Sequence, residues 1–186
     1  MEEPSIPFEL RDYFERSNIA LALAAAEPDN PLVLVNEKFR SLTGYADDDV
    51  IGRNCRLLQK DVENREARER IHAFLEGDAQ ASVRTPIINF RKNGEPFVNL
   101  LYMSKLRDRS GRPRFLFASQ YDISRSHPER LAEYDAELAR TLSRMTPALS
   151  ENGIVIEGTL MAIANAASLI AQAKVTLSDL DGPDLS

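Results

Sequence analysis

Gly52-Arg53-Asn54-Cys55-Arg56-Leu57-Leu58-Gln59 is the stretch that decides how the rest of this chain is read. Cys55 is the one cysteine, so no disulfide can close within the chain and no cysteine-built zinc site can be assembled from it. A lone cysteine in an apolar setting is most often a small buried hydrophobe. The neighbours argue for more. Arg56 can lower a thiol pKa or bind a phosphate, and Asn54 and Gln59 offer amide donors and acceptors, as a heteroaromatic ring with polar edges requires.

Outward from this stretch, the pattern is that of a sheet with short helices. Ile19 to Ala26 and Leu32 to Val35 read as two buried strands around the turn cluster Glu27-Pro28-Asp29-Asn30-Pro31. Asn36 can cap a short helix carrying Phe39 and Leu42, ended by Gly44, and Asp47 can cap another turn through Val50 to Gly52. Ala67, Ile71, Phe74 and Leu75 mark one side of a helix from Arg65 to Leu75, stopped by Gly77. Three strands follow, Ala81 to Arg91, Glu95 to Arg107 and Arg114 to Tyr121, separated by turns at Asn93-Gly94 and at Asp108-Arg109-Ser110-Gly111.

The flanks are helical. Phe8, Leu10, Tyr13 and Phe14 give an amphipathic helix ahead of the strands. Beyond Asp122, Ser126 and Pro128 look like a helix start, and Leu131, Tyr134, Leu138, Leu142 and Met145 form a stripe ending near Pro147. A second stripe, Ile156, Leu160, Ile163, Ala167, Ile170 and Leu177, steps by fours and threes, broken only by Lys174, as a helix packing lengthwise on another requires. The expected organisation is a leading helix over 1–18, a core over 19–124, a helical hairpin over 125–178 and a frayed acidic tail over 179–186.

The Gly52 to Gln59 stretch resembles the flavin-binding signature of LOV (light, oxygen, voltage) domains of the PAS superfamily, usually written GxNCRFLQ, with only the Phe changed, to Leu57. Pro28 to Pro31, the Asn89-x-x-x-Asn93-Gly94 hairpin, Phe97 to Leu100 and Phe115 to Gln120 also fall where LOV domains have counterparts, so the likeness runs from Ile19 to Asp122. It implies an α+β PAS/LOV fold: a five-stranded antiparallel sheet with short helices on one face, plus an N-terminal helix and a C-terminal helical hairpin. It implies a short blue-light photoreceptor without an effector domain. In such a protein Cys55 bonds reversibly to a light-excited flavin, and the Gln120 amide rotates when the neighbouring ring nitrogen gains a proton.

Carried over residue by residue, Asn89 and Asn99 would bond the pyrimidine-like edge of the ring. Asn54, Arg56 and Gln59 would serve its polar and phosphate end, beside Asn30 in the turn. Leu21, Leu23, Leu32, Leu58, Ile71, Leu75, Leu101, Met103, Leu116 and Ala118 would enclose it. Packing alone would bury many of these. The cofactor implied is FMN. The family's second phosphate-binding Arg falls at His72, a weaker clamp than an always-charged forked guanidinium, so another flavin is also admitted.

Strand geometry supplies a check, because Asn89 and Asn99 must share a face to reach one ligand. A two-residue Asn93-Gly94 turn would put them on opposite faces. A three-residue loop, with Gly94 left-handed and Arg91 opposite Glu95, would put Asn89, Phe97 and Asn99 on one face.

Rival readings are a haem- or small-ligand-binding PAS sensor, with His72 as axial ligand, and a flavoenzyme. The first leaves Asn54, Cys55, Arg56, both strand asparagines and Gln120 unexplained. The second lacks a glycine-rich nucleotide motif or a Ser/His/Asp arrangement. His127, at a helix start beside Pro128, does not suit a phospho-accepting helix, and the chain is expected not to be an enzyme. With 29 acidic against 23 basic residues and a net charge of −6, nothing attracts nucleic acid or anionic lipid. The acidic start Met1-Glu2-Glu3-Pro4 lacks the order of a secretory signal, and Ile19 to Ala26 is too short to span a bilayer, so a cytoplasmic protein is expected. The apolar stripes are expected to make a homodimer interface through which light reaches an unknown downstream protein.

Overall fold

The computed structural model of the chain describes residues 5–124, 127–156 and 166–181. Its centre is an antiparallel sheet of β1 (Ala20–Ala25), β2 (Leu32–Val35), β3 (Ser82–Phe90), β4 (Pro96–Asp108) and β5 (Pro113–Gln120), in the order β2-β1-β5-β4-β3. A sixth strand, β6 (Ile154–Ile156), was not foreseen. It pairs with Leu106 to Asp108 because the 13-residue β4 outruns β3, whose first residue stands opposite Ser104. That overhang has an open edge, and β6 covers it.

The β3–β4 turn is the three-residue loop. Arg91 N–H donates to the Glu95 carbonyl at 2.9 Å, Gly94 N–H donates back to Arg91 at 2.9 Å, and Gly94 lies at φ 92°. Asn89 therefore stands opposite Phe97, and Asn99 opposite Ile87, with all four on one face.

One face of the sheet carries α2 (Glu37–Thr43), α3 (Asp47–Val50), a 3-10 helix (Cys55–Gln59) and α4 (Arg65–Glu76). Their apolar sides, Phe39, Val50, Leu58 and Phe74, meet Ala22, Ala24, Val83 and Leu116 of the sheet. The other face carries α1 (Phe8–Arg16) and α5 (Pro128–Glu151), whose Leu10, Phe14, Tyr134, Leu138 and Met145 pack on Leu21, Leu23, Phe115 and Phe117. Phe14 meets Phe117 edge-on at 5.9 Å. Each fully buried Leu or Phe side chain here contributes about 1.5–3 kcal/mol. The stripe expected to face a second copy is thus covered by the chain's own sheet.

Buried Asn36 joins these layers with all four of its amide bonds. Its Oδ1 accepts from Leu21 N at 2.9 Å and, as the cap of α2, from Phe39 N at 3.0 Å. Its Nδ2 donates to Phe14 O at 2.9 Å and Ile19 O at 2.8 Å. One side chain so fixes the end of α1, the start of β1 and the start of α2.

The C-terminal part departs from an uninterrupted helical hairpin. Helix α5 runs through Pro147 to Glu151. The proline has no N–H to donate to Ser143, but both residues lie on the exposed side of the helix while Met145 and Leu149 stay buried. Gly153, at φ 70°, then turns the chain into β6. Helix α6 (Ala166–Asp181) follows, with Ala173 and Leu177 against Ile88, Val98, Leu100 and Ile123. Ser126, Leu160 and Ile163 of the expected elements lie outside the described residues. Among the described residues no helix is long and apolar enough to cross a membrane.

Candidate cofactor cavity

Between the sheet and the 3-10 helix and α4 lies a cavity of about 690 Å³ including its mouth. Its floor is Ala22 and Ala24 of β1, Ile87 and Asn89 of β3, Asn99, Leu101 and Met103 of β4, and Leu116, Ala118 and Gln120 of β5. Its walls are Asn30, Leu32, Asn54, Cys55, Arg56, Gln59, Ile71 and Leu75. Residues far apart in the chain meet because the antiparallel register sets Met103 opposite Ala118 and Ala118 opposite Ala22.

Two expected wall residues are on the other side of the sheet. Leu21 pairs with Ser119 and Leu23 with Phe117, so both leucines pack under α1 and α5, while Ala22 and Ala24 face the cavity. A strand buried on both faces carries no polar alternation, so only side-chain size told its faces apart. Leu58 is buried with Phe39, Val50 and Phe74 behind the wall and does not line the cavity. Ala22, Ala24 and Ile87 were not among the expected residues, and the small-large alternation of Ala-Leu-Ala-Leu-Ala was the available signal for the first two.

The polar groups of the lining are unevenly satisfied. Asn99 Nδ2 donates to Asn89 Oδ1 at 2.9 Å, and Asn99 Oδ1 accepts from Tyr121 N at 3.1 Å. The Asn89 amide donates to the carbonyl of Ile88 at 3.2 Å. Each amide nitrogen keeps a second hydrogen for a ligand. Gln120 is 2% exposed, and neither its Oε1 nor its Nε2 has a hydrogen-bond partner among the described residues. Gln59 Oε1 is buried in the same state. Each such atom costs roughly 1–3 kcal/mol while unpaired, so the cavity is built for a molecule with polar edges and an apolar body.

At the wall, Asn54 caps the 3-10 helix by accepting from Arg56 N at 2.8 Å and donates to Asp29 O at 2.5 Å. The Arg56 guanidinium pairs with the Asp29 carboxylate, not with sulfur. Burial pushes the Cys55 thiol up to about 12. Of the two roles open to Arg56, lowering the thiol pKa is therefore not the one taken, and Cys55 is a protonated thiol facing the cavity at neutral pH.

His72 turns away from the cavity to Glu76, 3.1 Å distant, with its side chain 69% exposed. It is placed neither to clamp a phosphate nor to ligate a haem in the cavity. Arg70, on the same helix, bonds Thr85 Oγ1 and Glu66. No cluster of His, Cys, Asp and Glu able to hold a metal is present among the described residues.

Comparisons with known proteins agree with this geometry. Residues 20–125 match the family profile described as a PAS domain. The structure superposes on the Rhodobacter sphaeroides LOV protein with a TM-score of 0.69 and 29% identity, covering 93% of each chain. The d2 variant of RsLOV gives 30% identity and the same TM-score, over 94% of this chain and 96% of that one. The chain belongs to the LOV family of PAS domains. A blue-light-activated histidine kinase of Rhizobium johnstonii is 33% identical over 154 residues, which is 82% of this LOV chain and 43% of the kinase. The chain spans 19 to 43% of the length of the curated relatives it matches. These relatives are named as histidine kinases, which are enzymes, and this overturns the expectation that the chain is not an enzyme. The lining fits a flavin chromophore, the cofactor class of the LOV family: orphaned amides for its polar ring edge, methyl and isobutyl groups for its faces, and a thiol.

Proposed function

We propose that this protein is a blue-light photoreceptor that holds FMN in the cavity and bonds it reversibly through Cys55. A bound flavin supplies the light absorption and an electrophilic ring carbon. The chain supplies everything else. Burial keeps Cys55 as a thiol, with both its sulfur and its proton available inside the cavity. Gln120 can present either its amide oxygen or its amide nitrogen to the ring edge, because neither is committed to a partner among the described residues. Asn89 and Asn99 orient that edge, and Arg56 and Gln59 at the mouth hold the phosphate-bearing chain. The observation that carries this reading is the convergence on one cavity of the Cys55 thiol and the two Gln120 amide atoms, which have no partner among the described residues.

The response is read as passing from β5 into the flanking helices and changing the packing of a homodimer or the contact with a downstream protein. Purified protein should be yellow and lose its blue absorption band on illumination, recovering in the dark. Cys55→Ala should keep the flavin and lose that change. Full bleaching in the variant, with the wild-type spectrum, refutes the role of Cys55.

A further inference from the structure

Gln120 faces the cavity, and the residues on either side of it both hold one side chain of α5. Ser119 points through the opposite face of the sheet, where its hydroxyl is hydrogen-bonded to the Tyr134 hydroxyl. The Tyr121 ring stacks on the Tyr134 ring at 4.3 Å and 14°. Tyr121 is itself fixed from the cavity side: its N–H donates to Asn99 Oδ1 at 3.1 Å, and its carbonyl accepts from Leu100 N at 2.8 Å. A second tie lies beside the first, where Arg84 of β3 donates to the Asp135 carboxylate and reaches over the Tyr134 ring at 5.9 Å.

The contrast along α5 is informative. Beyond Tyr134 the buried stripe is Leu138, Leu142, Met145 and Leu149, held by apolar contact. Such contact is non-directional and tolerates a small displacement of the strand beneath it. A hydroxyl-hydroxyl bond is directional and weakens steeply as distance or angle drifts. Burial also holds the Tyr134 phenol well above its ordinary pKa, so it acts as a neutral hydroxyl throughout the physiological range.

We propose that Tyr134 is the positioning residue through which α5 senses the state of Gln120: reorientation of that amide loosens the Ser119–Tyr134 hydroxyl pair and releases the first half of α5. The inference rests on the photoreceptor reading above and deepens it by naming the receiving group.

The test uses the full flavin-loaded chain with Tyr134→Phe, which keeps the ring stack, with Ser119→Ala, and with both changes together. Hydrogen exchange over residues 128–145 is followed in the dark and under blue light, alongside the flavin spectrum. In the wild type, light should speed exchange there. Each single variant should bleach normally, exchange about fivefold faster in the dark, the factor one net hydrogen bond supplies, and lose most of the light increment. The double variant should be no worse than either single one, since both remove the same bond. A wild-type light increment in both single variants, or additive effects in the double, overturns the role of Tyr134. A wild type that bleaches with no increment in α5 does the same while leaving the photochemistry standing. A wild type that does not bleach removes the photoreceptor reading itself.

Discussion

Replacing Gln120 with Leu should stabilise the cofactor-free protein and weaken its hold on flavin. The side chain is 2% exposed, and both amide atoms are unpaired among the described residues. Leaving a buried polar group unsatisfied costs roughly 1–3 kcal/mol, and two such atoms double the exposure to that cost. Water entering the empty cavity relieves part of it, so a net gain of about 1 kcal/mol is expected on removing the amide. For a chain of this length that raises Tm by roughly 2–4 °C. With flavin bound the sign reverses. The amide then has a partner, and its loss should weaken the flavin Kd by about tenfold, the equivalent of 1.4 kcal/mol. Calorimetric melts of stripped and flavin-loaded protein, with fluorescence titration of flavin, measure both halves. A stripped variant less stable than wild type, or an unchanged flavin Kd, would show that Gln120 is an ordinary core residue.

Asn36→Ala should cost about 3 kcal/mol or more in urea unfolding, because it removes the partner of the Leu21 and Phe39 N–H groups and of the Ile19 carbonyl, and leaves the Phe14 carbonyl with only its longer bond from Ser17 N at 3.3 Å. Leu23→Ala, under α5, should lose about 2–5 kcal/mol of stability with flavin affinity unchanged, whereas Ala22→Leu should obstruct flavin binding; a reversed pattern would mean that the register of β1 is wrong. Stability should also fall with rising pH between about 8.5 and 10. There the unfolded thiol ionises while folded Cys55, held up at about 12, keeps its proton, so the loss approaches about 1.4 kcal/mol per pH unit. Cys55→Ser should flatten that slope. The buried Tyr102 and Tyr134 phenols, also raised by burial, add to it only at higher pH.

Some features were legible because they are written in local chemistry. The strands show as apolar runs between turn residues, and Gly94 marks the left-handed position that decided which face Asn99 shares with Asn89. The Asn54 to Gln59 segment carried its own signature. Other features depend on what each segment meets. The Ala20–Ala25 strand is buried on both faces, so the choice between Leu21 and Ala22 for the cavity was made by pairing with β5. The partner of the α5 stripe was open too, since an apolar helix face fits a second copy or the chain's own sheet equally well.

The order of the core elements, apart from β6, and the single thiol follow from residue types and spacing, because turn, strand and helix preferences act over a few residues; the assignment of Asn89, Asn99 and Gln120 to one ligand was what the resemblance to LOV domains implied. The protonation of Cys55, the pairing of Arg56 with Asp29, the outward turn of His72 and the hold of Ser119 and Tyr121 on Tyr134 belong to the tertiary structure alone. The first, second and fourth depend on groups brought close from distant parts of the chain or on water excluded by packing, and the His72 turn depends on which side of its helix the sheet covers; none is encoded in the spacing of neighbours alone.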